Sequence, residues 1–116
     1  MTGAWPTFGL TSDIRPLLAR AVAADEPAVL ATLYAADGAA PLGVGSQMLF
    51  TAADRSGFLS GGCVEGDVAL HSATVLESGV PRRLTYGRGG PPDIRLLCGA
   101  RIELLVERLD PILSRR

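Results

Sequence analysis

Lysine and asparagine are both absent from the 116 residues, so all eleven basic side chains are arginine. Without lysine there is no Schiff-base amine and no P-loop lysine to hold a nucleotide phosphate. No apolar run approaches the roughly 20 residues of a membrane-spanning helix. The first ten residues lack the basic start and apolar centre of a secretory signal. Cysteine is scarce: Cys63 and Cys98 are too few and too far apart to form a disulfide framework. The expected location is therefore the cytoplasm, with both thiols reduced. Excess charge is missing too. Eleven bases against twelve acids leave a net charge of −1, which gives no electrostatic reason to expect a nucleic acid or an anionic membrane as partner.

What is present is globular material. Hydrophobic residues make up 47 % and charged residues 20 %, and the length suits one domain with a core of its own. Residues 1–10 are expected to form a loose arm, with Trp5 and Phe8 available to tack it onto a single domain over 11–116. Ile14, Leu17, Leu18, Ala21 and Val22 recur at helical spacing up to residue 24. Thr11 or Ser12 can cap that helix, Asp13 suits its first turn, Pro16 sits where proline does least harm, and residues 25–27 end it. Strands are expected at 28–35 and 47–51, then at 58–60 after a turn over 53–57. A second helix is expected over 63–78, closed by Gly79 and Pro81, with further strands at 82–86 and 102–107 and a tail over 111–116. One helix, three strands, one helix and two strands is an α+β order with two main helices, and the sheet is expected to be mixed or antiparallel.

Chemistry concentrates in Phe58-Leu59-Ser60-Gly61-Gly62-Cys63-Val64-Glu65-Gly66. A strand is expected to run into two glycines and then into a helix start. Paired glycines let backbone N–H groups approach an anion closely, and a helix N-terminus adds unpaired N–H groups and partial positive charge. A thiol in that field is biased towards thiolate. Glu65 lies in the same first turn as a base or hydrogen-bond acceptor. The bland alternative is a glycine turn with a small buried cysteine and a glutamate that favours a helix start. The segment has neither the third glycine nor the later acidic residue of a dinucleotide-binding fingerprint.

Ser60-Gly61-Gly62-Cys63-Val64-Glu65-Gly66 resembles the central motif of the XdhC/CoxI family, whose best-known members are xanthine dehydrogenase accessory factors. Ala28-Val29-Leu30-Ala31-Thr32-Leu33 resembles that family's first strand. Gly38-Ala39-Ala40-Pro41 and Gly45-Ser46-Gln47-Met48-Leu49 resemble its next two segments, and Leu97-Cys98-Gly99-Ala100-Arg101-Ile102 resembles its Cys–Gly–Gly stretch and final strand. Leu42, Gln47 and Ala100 depart from the family's usual basic, basic and glycine residues. The resemblance covers the amino-terminal domain only, since full-length members usually carry a second, Rossmann-like domain.

The resemblance implies a protein that binds the molybdenum cofactor as cargo and assists its sulfuration and insertion into a molybdenum hydroxylase such as xanthine dehydrogenase. Ser60, Gly61, Gly62, Cys63, Gln47, Cys98 and Gly99 are the implied cofactor-binding residues, with Cys63 nearest the molybdenum. Cys63 and Glu65 are the implied reactive pair. Two alternatives stand beside delivery. Cys63 could carry a persulfide from a cysteine desulfurase with Glu65 as base, or the chain could be an adaptor that docks a separate Rossmann-domain protein. A homodimer would add area for a large cofactor. His71 shares a helical face with Val64, Val68 and Val75 and is expected to be packed and hydrogen-bonded rather than a ligand. Arg82, Arg83, Arg88 and Arg95 are expected to form a solvated rim, although they are suited to phosphate contacts.

Overall fold

The structure, a computed structural model, describes residues 13–37, 43–59, 64–88, 90 and 100–110. The elements among them are α1 (Arg15–Ala23), β1 (Ala28–Asp37), β2 (Gln47–Phe50), β3 (Arg55–Gly57), α2 (Glu65–Ser78), β4 (Arg82–Gly87) and β5 (Arg101–Leu109). The arm over 1–10, the caps Thr11 and Ser12, Arg95 and the tail over 111–116 lie outside the described residues.

The five strands form one sheet in the order β3-β2-β1-β5-β4, and every neighbouring pair is antiparallel. The α+β expectation holds, and of its two sheet alternatives the antiparallel one is found. β1 is central because both of its faces are apolar. Val29, Ala31 and Leu33 point one way, where Ile102, Leu104 and Val106 of β5 join Val64, Val68 and Val75 from the α2 segment. Ala28 points the other way, into a smaller cluster with Leu17, Ala21 and Leu49, against which Leu30 and Leu109 pack. The two helices therefore cover opposite faces of the sheet. α1 is short and covers one end only, so β1 grows more exposed towards Tyr34 and Asp37.

The helix ends follow local chemistry. Pro16 occupies the first turn of α1, where its missing N–H has no intrahelical partner to lose. Asp13 stands before that turn rather than in it. Its carboxylate accepts the Arg15 backbone N–H at 2.9 Å and the Arg15 guanidinium at 2.8 Å. The Arg15 side chain beside it holds the Asp13 carboxyl at about 2, below the usual carboxylate range. At the other end Asp25 takes a left-handed conformation (φ 55°), while its N–H reaches Val22 O and that of Glu26 reaches Ala21 O. These two bonds satisfy two of the carbonyls in the last turn of α1. α2 ends at left-handed Gly79, as expected, and Arg108 donates to Leu76 O at 3.0 Å.

The main differences from expectation lie between β2 and α2. The turn after β2 occupies residues 51–54, held by Thr51 N–H to Asp54 O (2.8 Å) and Asp54 N–H to the Thr51 hydroxyl (3.0 Å). The third strand is therefore residues 55–57, not 58–60: Phe58 and Leu59 follow it, and Ser60 lies outside the described residues. Gly57 is a strand glycine at φ 97°, and a Cβ there would lie 2.2 Å from Gln47 O. α2 begins at Glu65 with Val64 as its cap, two residues later than expected.

Candidate functional site

Leu59 and Val64 flank residues 60–63, and both side chains are buried in the larger core cluster. The chain leaves β3 along β2, with the Phe58 N–H donating to Gln47 O at 3.2 Å. Leu59 then donates its N–H to Glu65 Oε2 at 3.1 Å, a buried bond that joins the approach to residues 60–63 to the first turn of α2. Glu65 is only 8 % exposed. A negative side chain in a first turn also complements the helix dipole. Ser60, Gly61, Gly62 and Cys63 lie outside the described residues, as do Cys98 and Gly99.

Gln47 is oriented differently from Glu65. Met48 and Phe50 point into the α2-side cluster while Leu49 points into the α1-side one, so strand alternation turns Gln47 to the α1 side. There its amide donates to the Thr32 hydroxyl at 3.2 Å. It lines a groove of about 430 Å³ with Asp13, Ile14, Arg15 and Phe58.

Sequence reasoning missed Asp67, which anchors the same first turn on its other side. The Tyr86 hydroxyl of β4 donates to Asp67 Oδ2 at 2.6 Å, and the Tyr86 side chain is almost fully buried. Burial, and then the adjacent Asp67 carboxylate, push the Tyr86 phenol well above its ordinary range. His71, one turn along α2, brings Nε2 within 3.4 Å of the same carboxylate oxygen. Its Nδ1 lies 2.9 Å from the Arg82 guanidinium. A guanidinium can only donate, so Nδ1 accepts and Nε2 carries the proton that faces Asp67. His71 is thus hydrogen-bonded, as expected, but it sits at the edge of the valine stripe with about a third of its side chain exposed. A cavity of about 290 Å³ lined by Asp67, His71, Tyr86, Thr85 and Arg83 opens beside this group.

The rim arginines behave as expected where they are described. Arg82, Arg83 and Arg88 are exposed, and Arg88 pairs with Asp37 at 2.6 Å, tying the far ends of β4 and β1 together. Among the described residues no three His, Cys, Asp or Glu side chains group as metal ligands. No described helix is long and apolar enough to cross a membrane.

Residues 21–87, from within α1 to the end of β4, match the model of the XdhC and CoxI family. The chain belongs to the XdhC/CoxI family. The XdhC/CoxI match includes residues 60–66 and the anchoring residues Glu65, Asp67, His71 and Tyr86. The chain is 41 % identical over 105 residues to the molybdenum cofactor insertion chaperone PaoD of Escherichia coli (strain K12), covering 86 % of this chain and 33 % of PaoD. It also matches the crystal structure of a xanthine dehydrogenase from Bacillus halodurans with a TM-score of 0.71 and 32 % identity, over 85 % of this chain and 31 % of that one. The XdhC/CoxI chain described above therefore spans about a third of the length of each.

Proposed function

We propose that this chain is a molybdenum-cofactor accessory module that holds the cofactor at residues 60–63 and passes it to a molybdenum hydroxylase such as xanthine dehydrogenase. The observation that carries the proposal is the match to PaoD, a molybdenum cofactor insertion chaperone, over 86 % of this chain. The chemistry of the segment supports it. Cofactor phosphate and oxo groups are anionic and suit the amides of Gly61 and Gly62, with Ser60 as a further donor. Molybdenum is soft enough in its sulfur-ligated form to suit the Cys63 thiolate. Cys98, Gly99 and Gln47 complete the proposed contact set. The work is binding and handover rather than turnover, and it belongs in the cytoplasm, where thiols stay reduced.

The proposed partners follow from the same chemistry. The hydroxylase receives the cofactor, and a cysteine desulfurase supplies the sulfur placed on the metal. A separate Rossmann-domain protein, or pairing of two copies of this chain, supplies further surface around the cofactor. The test is handover: the chain is loaded anaerobically with released cofactor, freed of excess, and mixed with a cofactor-free molybdenum hydroxylase. Activity should appear with the wild type and fall in Cys63→Ala. Free cofactor that restores activity equally well at the same concentration would overturn the proposal. A persulfide trapped on Cys63 or Cys98 after incubation with a desulfurase and cysteine, without handover, would replace delivery by sulfur carriage.

A further inference from the structure

Both carboxylates in the first turn of α2 are hydrogen-bonded to groups outside the helix. Asp67 accepts the Tyr86 hydroxyl from β4 at 2.6 Å, and His71 with Arg82 braces the same group. The start of α2 is thereby fixed against β4. Glu65 reaches the opposite way and accepts the Leu59 N–H at 3.1 Å, in a buried setting, across six positions of chain. Leu59 is itself seated in the core at 1 % exposure.

From this geometry we propose that Glu65 is a positioning residue, whose carboxylate fixes where Leu59 stands relative to the start of α2 and so sets the span that residues 60–63 bridge. Its task is to accept a backbone N–H and not to exchange protons with a ligand. The inference rests on the cofactor role proposed for that segment and assigns the part Glu65 plays in it. At 3.1 Å the bond is not one of the short charge-assisted kind, and a buried N–H deprived of its acceptor is costly. Reach therefore matters more than charge. Glutamine keeps an acceptor oxygen at the same distance from the backbone, whereas aspartate keeps the charge on a side chain one methylene shorter.

Glu65→Gln and Glu65→Asp separate the two properties. Each full-length variant and the wild type are compared by amide hydrogen exchange at Leu59, by thermal melting, and by anaerobic equilibrium binding of released molybdenum cofactor. Glu65→Gln should keep Leu59 protected and bind within about threefold of wild type, while Glu65→Asp should exchange Leu59 and release cofactor about tenfold more readily. The reverse order, with aspartate preserving binding and glutamine abolishing it, would overturn the proposal in favour of a charge or a base. An unprotected Leu59 amide in folded wild type would also overturn it. Wild type that binds no cofactor overturns the cofactor role instead, and the Leu59 exchange then still decides whether Glu65 fixes this span.

Discussion

Tyr86, itself buried, places its hydroxyl on the half-buried Asp67 carboxylate, and its removal should be felt in two ways. Tyr86→Phe leaves a carboxylate oxygen without its closest donor, so stability at neutral pH should fall by about 1–2 kcal/mol in denaturant titrations. The second effect is on pH dependence. The folded-state phenol titrates above its unfolded value near 10, so its contribution is complete below pH 10 and is lost as pH rises further. Wild-type midpoints should therefore drop more steeply than those of Tyr86→Phe as pH rises above about 10. Equal slopes would mean that the phenol is not held in this way. Glycines give a sharper contrast. A Cβ added at Gly57 would meet Gln47 O at 2.2 Å at a left-handed φ, whereas nothing lies within 4 Å of one at Gly66. Gly57→Ala should cost more than about 1 kcal/mol, and Gly66→Ala should melt no lower than wild type. A Gly66→Ala protein that keeps its melting temperature but binds cofactor less well would show that this glycine serves the ligand rather than the fold.

At the scale of elements, α1 contributes a small second core with Leu17 at 4 % exposure. Leu17→Ala should destabilise by about 2–4 kcal/mol in the same titrations, because α1 has few other buried contacts with which to collapse the cavity. Helices and long strands were legible in the sequence for physical reasons. Ile14, Leu17, Leu18 and Ala21 repeat at helical spacing, and residues 28–35 read as a buried strand because helices cover both faces of β1 where it begins. β3 was misplaced because Arg55, Ser56 and Gly57 form a short, polar edge strand with no apolar alternation. Its glycine is required by close approach to β2, a condition invisible before the pairing is known.

For the whole molecule, sheet order decides which chemical groups meet. β4 lies at the sheet edge beside β5, and that placement brings Tyr86 and Arg82 to α2 although 19 positions separate Tyr86 from Asp67. No local pattern encodes such a pairing, so the Asp67 group could not be read in advance, whereas Glu65 could be named as an acceptor from its place in a first turn. The motif at residues 60–66 was legible because its glycines, thiol and carboxylate are adjacent in the chain. The central claim is that this segment holds molybdenum cofactor, and the most direct measurement is anaerobic equilibrium binding of freshly released cofactor to wild type and Cys63→Ala. Saturable binding by wild type that is lost in folded Cys63→Ala is the predicted result. A folded wild type that binds no cofactor, or a variant that binds as tightly as wild type, would contradict it.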